Sequence, residues 1–371
     1  MSKFLNILFI ALFSSILYGG LIFNELDITI GSISEENRKL KEAPTRPENL
    51  EDLKAFPAGF EDYLSDNFTF RPILLKTWNS LLIAIQESPI EKIFIGKQGW
   101  LFNNYNDALN QYRGISKMNL KLFIDKLIDD NNYLKEKNIP FIFFIAPNKH
   151  SVYSEYLDVK VLDKNRDYDR MYDTLKQFKS DLDFIDLRSF FLEAKKKQDS
   201  ILLYSPYGTH WSNYGGYLAY TEVMNHIKVY EPDLYILPTD RMKFKKCVGE
   251  ESLLKQLNAY MGAPDTVNTC MTILKPTKKR IHKLKDVHIH TTDIDNDLTI
   301  LLIGDSFNLH LTQFYKESFK KIIFTAHNFG NWDRALIDRY NPDIVVYSMV
   351  ERTLTKKNAE KETMFGFGKE D

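Results

Sequence analysis

Two short stretches hold residue types that do acyl chemistry together. In "LLIGDSFNL", Leu301–Leu309, a serine follows an apolar run and a Gly-Asp pair. In "SPYGTHWSNYGGY", Ser205–Tyr217, a histidine stands between a threonine and a tryptophan. A serine hydroxyl is a poor nucleophile until a base takes its proton, and a histidine titrates in the right range to be that base. Gly304 permits a tight turn, so Ser306 would stand at the start of a helix. Backbone N–H groups there can stabilise an oxyanion formed by attack on an ester carbonyl. Ser306 is the candidate nucleophile and His210 the candidate base. Each motif taken alone has a plainer reading, Ser306 as a helix N-cap and His210-Trp211 as a structural pair.

Strand and helix patterns alternate along the chain, and they must bring these residues together. "IPFIFFIAP" is a short apolar run between prolines, as a buried central strand would be. Residues 118–137 carry an amphipathic helical pattern, and a second helix is expected at about 165–180 before a strand in "DFIDL". A helix follows His210 through "GGYLAYTEVMNHI". "LTILLIG", "KIIF" and "DIVVYSMV" read as strands, separated by helices at 307–318 and in "WDRALIDRY". This alternation predicts an α/β sandwich with a mainly parallel sheet. Such sheets place their sites beyond the carboxyl ends of the strands. Asn148 and Lys149 stand at one such end. They are candidates for polarising a carbonyl or holding a substrate hydroxyl, with a strand-capping turn as the alternative.

The remaining segments set the frame. "IFIGKQGWLF", Ile93–Phe102, alternates as a hairpin would, and Phe56 to Glu87 looks helical. Residues 235–296, rich in Lys, Asp and His, read as a β-rich or irregular insertion. His282, His288 and His290 fall there and read as solvated surface, since no carboxylate spacing completes a metal site. Cys247 and Cys270 are compatible either with one disulfide or with two free thiols. No cofactor or metal motif is present.

The 371 residues carry 49 Lys plus Arg and 50 Asp plus Glu, a balance that gives no field to attract nucleic acid. After Lys3, "FLNILFIALFSSILYGGLIF" runs from Phe4 to Phe23 without a charge. That length spans a bilayer, and it favours an uncleaved signal anchor over a cleaved signal. Lys3 on one side and Glu25 and Asp27 on the other favour a cytoplasmic N-terminus and an exported body. The expected organisation is an anchor over 1–25, a linker over 26–55, one α/β domain over 56–355 and a loose tail over 356–371.

Five stretches occur together and in order: "GKQGWLF", "APNKHSVYSEYL", "GTHWSNYGGY", "LLIGDSFN" and "PDIVVYSMVERTL". With "YLSDNFTFR" before them, they resemble the AlgX/AlgJ family of SGNH-hydrolase-like proteins, over roughly Phe56 to Leu354. The resemblance implies an SGNH-type three-layer sandwich and an exported protein that O-acetylates a bacterial polysaccharide such as alginate. It also implies a membrane-bound acyltransferase partner that supplies the acetyl groups, and a periplasmic place of work. Thr209, His210 and Trp211 match the family's Asp-Thr-His-Trp motif, and Gly304, Asp305, Ser306 and Phe307 match its Gly-Asp-Ser-Phe motif. The family's triad aspartate falls on Gly208, so either a backbone carbonyl or an acid from elsewhere in the chain takes the Nδ1–H of His210, or the site has stopped doing chemistry. An esterase and a non-catalytic glycan-binding subunit are the competing readings.

Overall fold

The apolar runs FIFFIA, TILLIG and IVVYSMV become strands in which every residue is buried. Such continuous runs mark strands covered on both faces of a parallel sheet. The computed structural model describes residues 2–26, 28, 39–104, 108–112, 120–159, 166–178, 181–197, 200–262, 268–284, 287–326 and 332–354. The tail expected over 356–371 lies outside the described residues, as does much of the linker expected from residue 26.

In chain order the strands are β1 (Ile93–Ile95), β2 (Leu101–Asn103), β3 (Phe141–Ala146), β4 (Asp183–Ile185), β5 (Met242–Cys247) and β6 (Asn268–Ile273). They continue with β7 (Lys279–Lys283), β8 (Val287–Thr292), β9 (Thr299–Gly304), β10 (Lys321–Ala326) and β11 (Ile344–Val350). Seven of them form one sheet in the order β4-β3-β11-β9-β10-β8-β7. The first five run parallel, while β8 and β7 add to one edge antiparallel. The insertion expected over 235–296 is therefore only half separate. β5 and β6 make their own hairpin, but β7 and β8 widen the central sheet. Hydrophobicity could not show this, because β7, "KRIHK", is exposed throughout. A lysine-rich sheet edge is a common guard against pairing with other chains.

One face of the sheet is covered by the helices Leu187–Lys197, Asn213–Ile227 and Ser306–Tyr315, around Phe191, Tyr220 and Phe314. The other face packs on Leu120–Glu136, Asp167–Leu175 and Ala335–Tyr340, around Leu127, Met171 and Ile337. This is a three-layer α/β sandwich. The helix Leu187–Lys197 was not foreseen in the sequence.

The chain divides into two units, Met1–Ile90 with Ser252–Gly262, and Glu91–Glu251 with Ala263–Asp371. The first unit holds the helices Ser2–Glu25, Leu50–Asn67 and Arg71–Ala84. Asn49 caps the second of these, accepting from the amides of Glu51 and Asp52, so helix begins inside the stretch expected to be linker. Asn79 Nδ2 donates to the Leu257 carbonyl at 2.8 Å and so ties in the later segment. The window Lys3–Gly20 is long and apolar enough to cross a membrane, and Phe4 and Phe9 are each 68% exposed.

Candidate active site

Ser306 opens the helix Ser306–Tyr315 directly after β9. Asp305 fixes the turn between them. One carboxylate oxygen accepts from the Phe307 amide at 2.9 Å, and the other accepts from the Val350 amide at the end of β11 at 2.8 Å. Asp305 is thus the N-cap of the serine helix and a tie between two strands. Gly304 is small by necessity. A Cβ there would stand 2.7 Å from Ser348 Oγ and 2.8 Å from Asn308 Cβ. Ser306 itself is exposed, and its N–H is among the opening amides that no helical carbonyl can reach.

His210 comes from the loop before the helix Asn213–Ile227. A one-residue antiparallel bridge between Tyr204 and Trp211 closes that loop. His210 Nε2 lies 2.7 Å from Ser306 Oγ, and Nδ1 lies 2.8 Å from Glu250 Oε1. Glu250 Oε2 accepts from the His210 amide at 2.8 Å. The two carboxylate oxygens therefore grip both the ring and the backbone of one histidine. With Nδ1–H donating to Glu250, Nε2 is left with its lone pair toward the serine hydroxyl. The arrangement is a serine, an imidazole and a carboxylate in line, the geometry that lets a hydroxyl be deprotonated as it attacks.

Sequence reasoning did not find Glu250. It lies in "VGEES", forty residues from His210, in the insertion after β5. Three contacts hold that segment in place. Cys247 is joined to Cys270 by a disulfide across β5 and β6. Asn268 Nδ2 donates to the Val248 carbonyl at 2.5 Å, and Ser205 Oγ donates to the Glu250 carbonyl, also at 2.5 Å. The paired cysteines and the glycine at 208 were the available signals, and neither names an acid.

Lys149 and Asn148 are placed differently from the expectation that they face a substrate. The Lys149 ammonium is buried and donates to the carbonyls of Ser205, Pro206 and Gly208 at 2.8, 2.9 and 2.6 Å. An ammonium has three N–H bonds, and all three are taken by the loop that leads to His210. Burial pushes its pKa down to about 7, against the pull of the Glu250 carboxylate. Asn148 is also buried. Its amide donates to Glu351, its Nδ2 to Tyr112 and its Oδ1 accepts from Arg352. Strand-end polar groups read as site lining in a sequence, but here both point inward: Lys149 braces the histidine loop, and Asn148 binds Glu351, Tyr112 and Arg352. Arg352 also lies over the Phe307 ring, 5.3 Å from its centroid. Thr209 accepts from Asn103 Nδ2 at 3.0 Å, and Trp211 is buried edge-on against Phe307.

His310 is a further neighbour that had no motif to mark it. It lies one helical turn beyond Ser306, and its ring centroid is 4.4 Å from that of His210. Desolvation, and then the neighbouring imidazole, push its pKa down to about 4. His310 is therefore neutral around pH 7. Among the described residues no group of three or more His, Cys, Asp or Glu could hold a metal ion.

The sequence profile of the SGNH hydrolase-like domain of the acetyltransferase AlgX matches residues 93–335. The chain belongs to the AlgX-type family. No curated protein sequence matches it significantly. Among solved structures it resembles Bacillus cereus PatB1, with 16% identity and a TM-score of 0.50, over 71% of this chain and 97% of that one. It also aligns with the O-acetyltransferase domain of Pseudomonas putida AlgJ, at 17% identity and TM-score 0.47, over 72% and 93%. Pseudomonas aeruginosa AlgX aligns at 13% identity and TM-score 0.39, over 74% and 65%. At these identities the PatB1 likeness speaks for the fold, an SGNH-like α/β sandwich. The AlgX-type chain described here departs from the family's Asp-Thr-His-Trp motif at Gly208, and a carboxylate from another segment lies against its histidine.

Proposed function

We propose that this AlgX-type protein is an extracytoplasmic O-acetyltransferase acting on a bacterial polysaccharide. Ser306 attacks the donor ester carbonyl, His210 takes the hydroxyl proton through Nε2, and Glu250 stabilises the imidazolium that results. The Ser306 amide at the helix opening faces the developing oxyanion. Collapse of the tetrahedral intermediate leaves an acetyl-serine, and the His210 imidazolium gives its proton to the departing group, which returns the ring to its basic form. A sugar hydroxyl then attacks that ester, giving its proton to His210 as the serine alkoxide leaves and is reprotonated. The observation that carries this reading is the continuous line of contacts from Glu250 through His210 to Ser306.

The apolar N-terminal helix supports attachment to the inner membrane with the body on its periplasmic face, and the Cys247–Cys270 disulfide fits an oxidising compartment. A membrane-bound acyltransferase that delivers acetyl groups is the partner this placement calls for.

The test is the purified full chain in non-ionic detergent with an activated acetyl ester and oligosaccharide acceptors. Acetylated sugar should accumulate, and Ser306→Ala should abolish it. Free acetate with no acetylated sugar would make the protein an esterase. Turnover that survives Ser306→Ala would remove the serine mechanism altogether.

A further inference from the structure

The edge of the sheet opposite β4 holds a group of cations that acyl transfer does not use. Residues paired directly across neighbouring strands share a face. Lys279 pairs with Thr292, Ile281 with His290, and Lys283 with His288. His290 in turn pairs with Ile322 and His288 with Phe324, both core residues on the face covered by the serine helix. Lys279, Lys283, His288 and His290 therefore lie on that face. Lys316, the C-cap of the serine helix, packs into the same corner.

His290 and Lys316 are deep. His290 is 5% exposed and Lys316 is 7% exposed. The expectation that His290 is solvated surface is thus corrected, because β10 and the helix end cover it. Neither His290 ring nitrogen has a hydrogen-bond partner among the described residues. No described carboxylate pairs with the Lys316 ammonium, and its charged neighbour is Lys279. Burial first, and then Lys279, push the Lys316 pKa down to about 8. Burial, Lys316, Lys279, His288 and Lys283 push His290 down to about 4. A buried cation set against other cations, with imidazole nitrogens left open, is costly unless an anion completes it.

We propose that Lys279, His290 and Lys316 form an oxyanion-binding site, for a carboxylate, sulfate or phosphate group, at the end of the serine helix remote from Ser306. The two ammonium groups supply charge and the imidazole supplies a directed N–H. Lys283 and His288 flank it on the next register positions. The site is about 15 Å along the helix from the serine, ten residues at about 1.5 Å each. It is separate from the acyl-transfer site and does not depend on that assignment.

The experiment reads binding, not turnover. The full chain in non-ionic detergent is melted at neutral pH in sodium sulfate, sodium phosphate and sodium chloride of equal ionic strength. Sulfate or phosphate should raise Tm over chloride by roughly 2–4 °C at ten times the dissociation constant. Lys316→Met should abolish that increment and raise Tm in chloride, since it removes an uncompensated buried charge. Lys279→Gln, on an exposed edge strand, should weaken the increment without disturbing the fold, and Lys243→Met on β5 should leave it intact. An equal response to chloride, or a sulfate increment that persists in both Lys316→Met and Lys279→Gln, overturns the proposal. An oligouronate and its neutral methyl ester identify the source. A Lys316-dependent shift with the acid alone assigns a polymer-borne carboxylate, and a shift with inorganic anions alone assigns a small free anion.

Discussion

The carboxylate of Glu250 fills the space in which a side chain on Gly208 would begin. A Cβ built on Gly208 would lie 2.4 Å from Glu250 Oε2 and 2.7 Å from Glu250 Cβ. The missing acid and the glycine are therefore one fact. A carboxylate from a different part of the chain occupies that volume, and residue 208 has no room for a second.

Gly208→Asp should consequently not improve the enzyme. Two carboxylates would compete for one volume and one Nδ1–H, and the like charges would repel. We expect activity on an activated acetyl ester to fall at least tenfold, roughly the scale of a misplaced catalytic group. Adding Glu250→Gly to Gly208→Asp should restore part of it. A single Gly208→Asp that is more active than the parent would contradict the shared-space account.

Glu250→Gln keeps the shape and removes the charge. Without a carboxylate the imidazolium loses its partner and the useful tautomer loses its preference. The expected cost is roughly 10²–10⁴-fold in kcat, with KM little changed and the melting temperature near that of the parent. Steady-state kinetics on an acetyl ester, alongside a thermal melt, separate this from unfolding. An unchanged kcat would remove Glu250 from the mechanism.

The Cys247–Cys270 disulfide should matter more to catalysis than its distance from Ser306 suggests. Closing a loop of 23 residues is worth about 3 kcal/mol of stability in the chain-entropy account. Glu250 lies three residues beyond Cys247, so a slack hairpin also loosens the acid. The Cys247→Ser/Cys270→Ser double variant should lower Tm and reduce kcat at temperatures where it is still folded. If kcat is untouched there, the hairpin contacts of Asn268 and Ser205 hold Glu250 without help.

His290 gives a pH dependence of known sign. Its folded pKa of about 4 lies below the ordinary histidine value of 6.5, so the unfolded chain takes up a proton first as pH falls. Stability tied to the neutral ring is thus present above pH 6.5 and is lost on acidification toward 4. Urea unfolding of the parent and of His290→Leu at these two pH values would measure it. The variant should be the less pH-sensitive of the two.

Ser306 and His210 were legible because their cues are local. A strand, a glycine turn and a helix start are written within a few residues, and the core strands announce themselves as unbroken apolar runs. Glu250 was not legible because its contact with His210 spans forty residues and passes through a hairpin with no apolar periodicity. The direction of Lys149 was hidden for a related reason. A charged side chain at a strand end is normally solvated, and only the fold of the histidine loop supplies three inward carbonyls. β7 and β8 were partly missed because an edge strand of lysines carries no burial pattern.

β11, made near the end of the chain, lies between β3 and β9, at the middle of the sheet. Its Val350 amide also anchors the Asp305 turn beside Ser306. During synthesis β3 must wait for some two hundred further residues before its neighbour exists. Until then the sheet has an open seam and the serine turn lacks its tether. Contacts so distant in sequence form slowly, because the long loop must close before any pairing rewards it. The centre of the sheet and the Ser306 turn thus mature together, and a chain truncated before β11 would expose two unpaired strand edges as well as an unanchored serine.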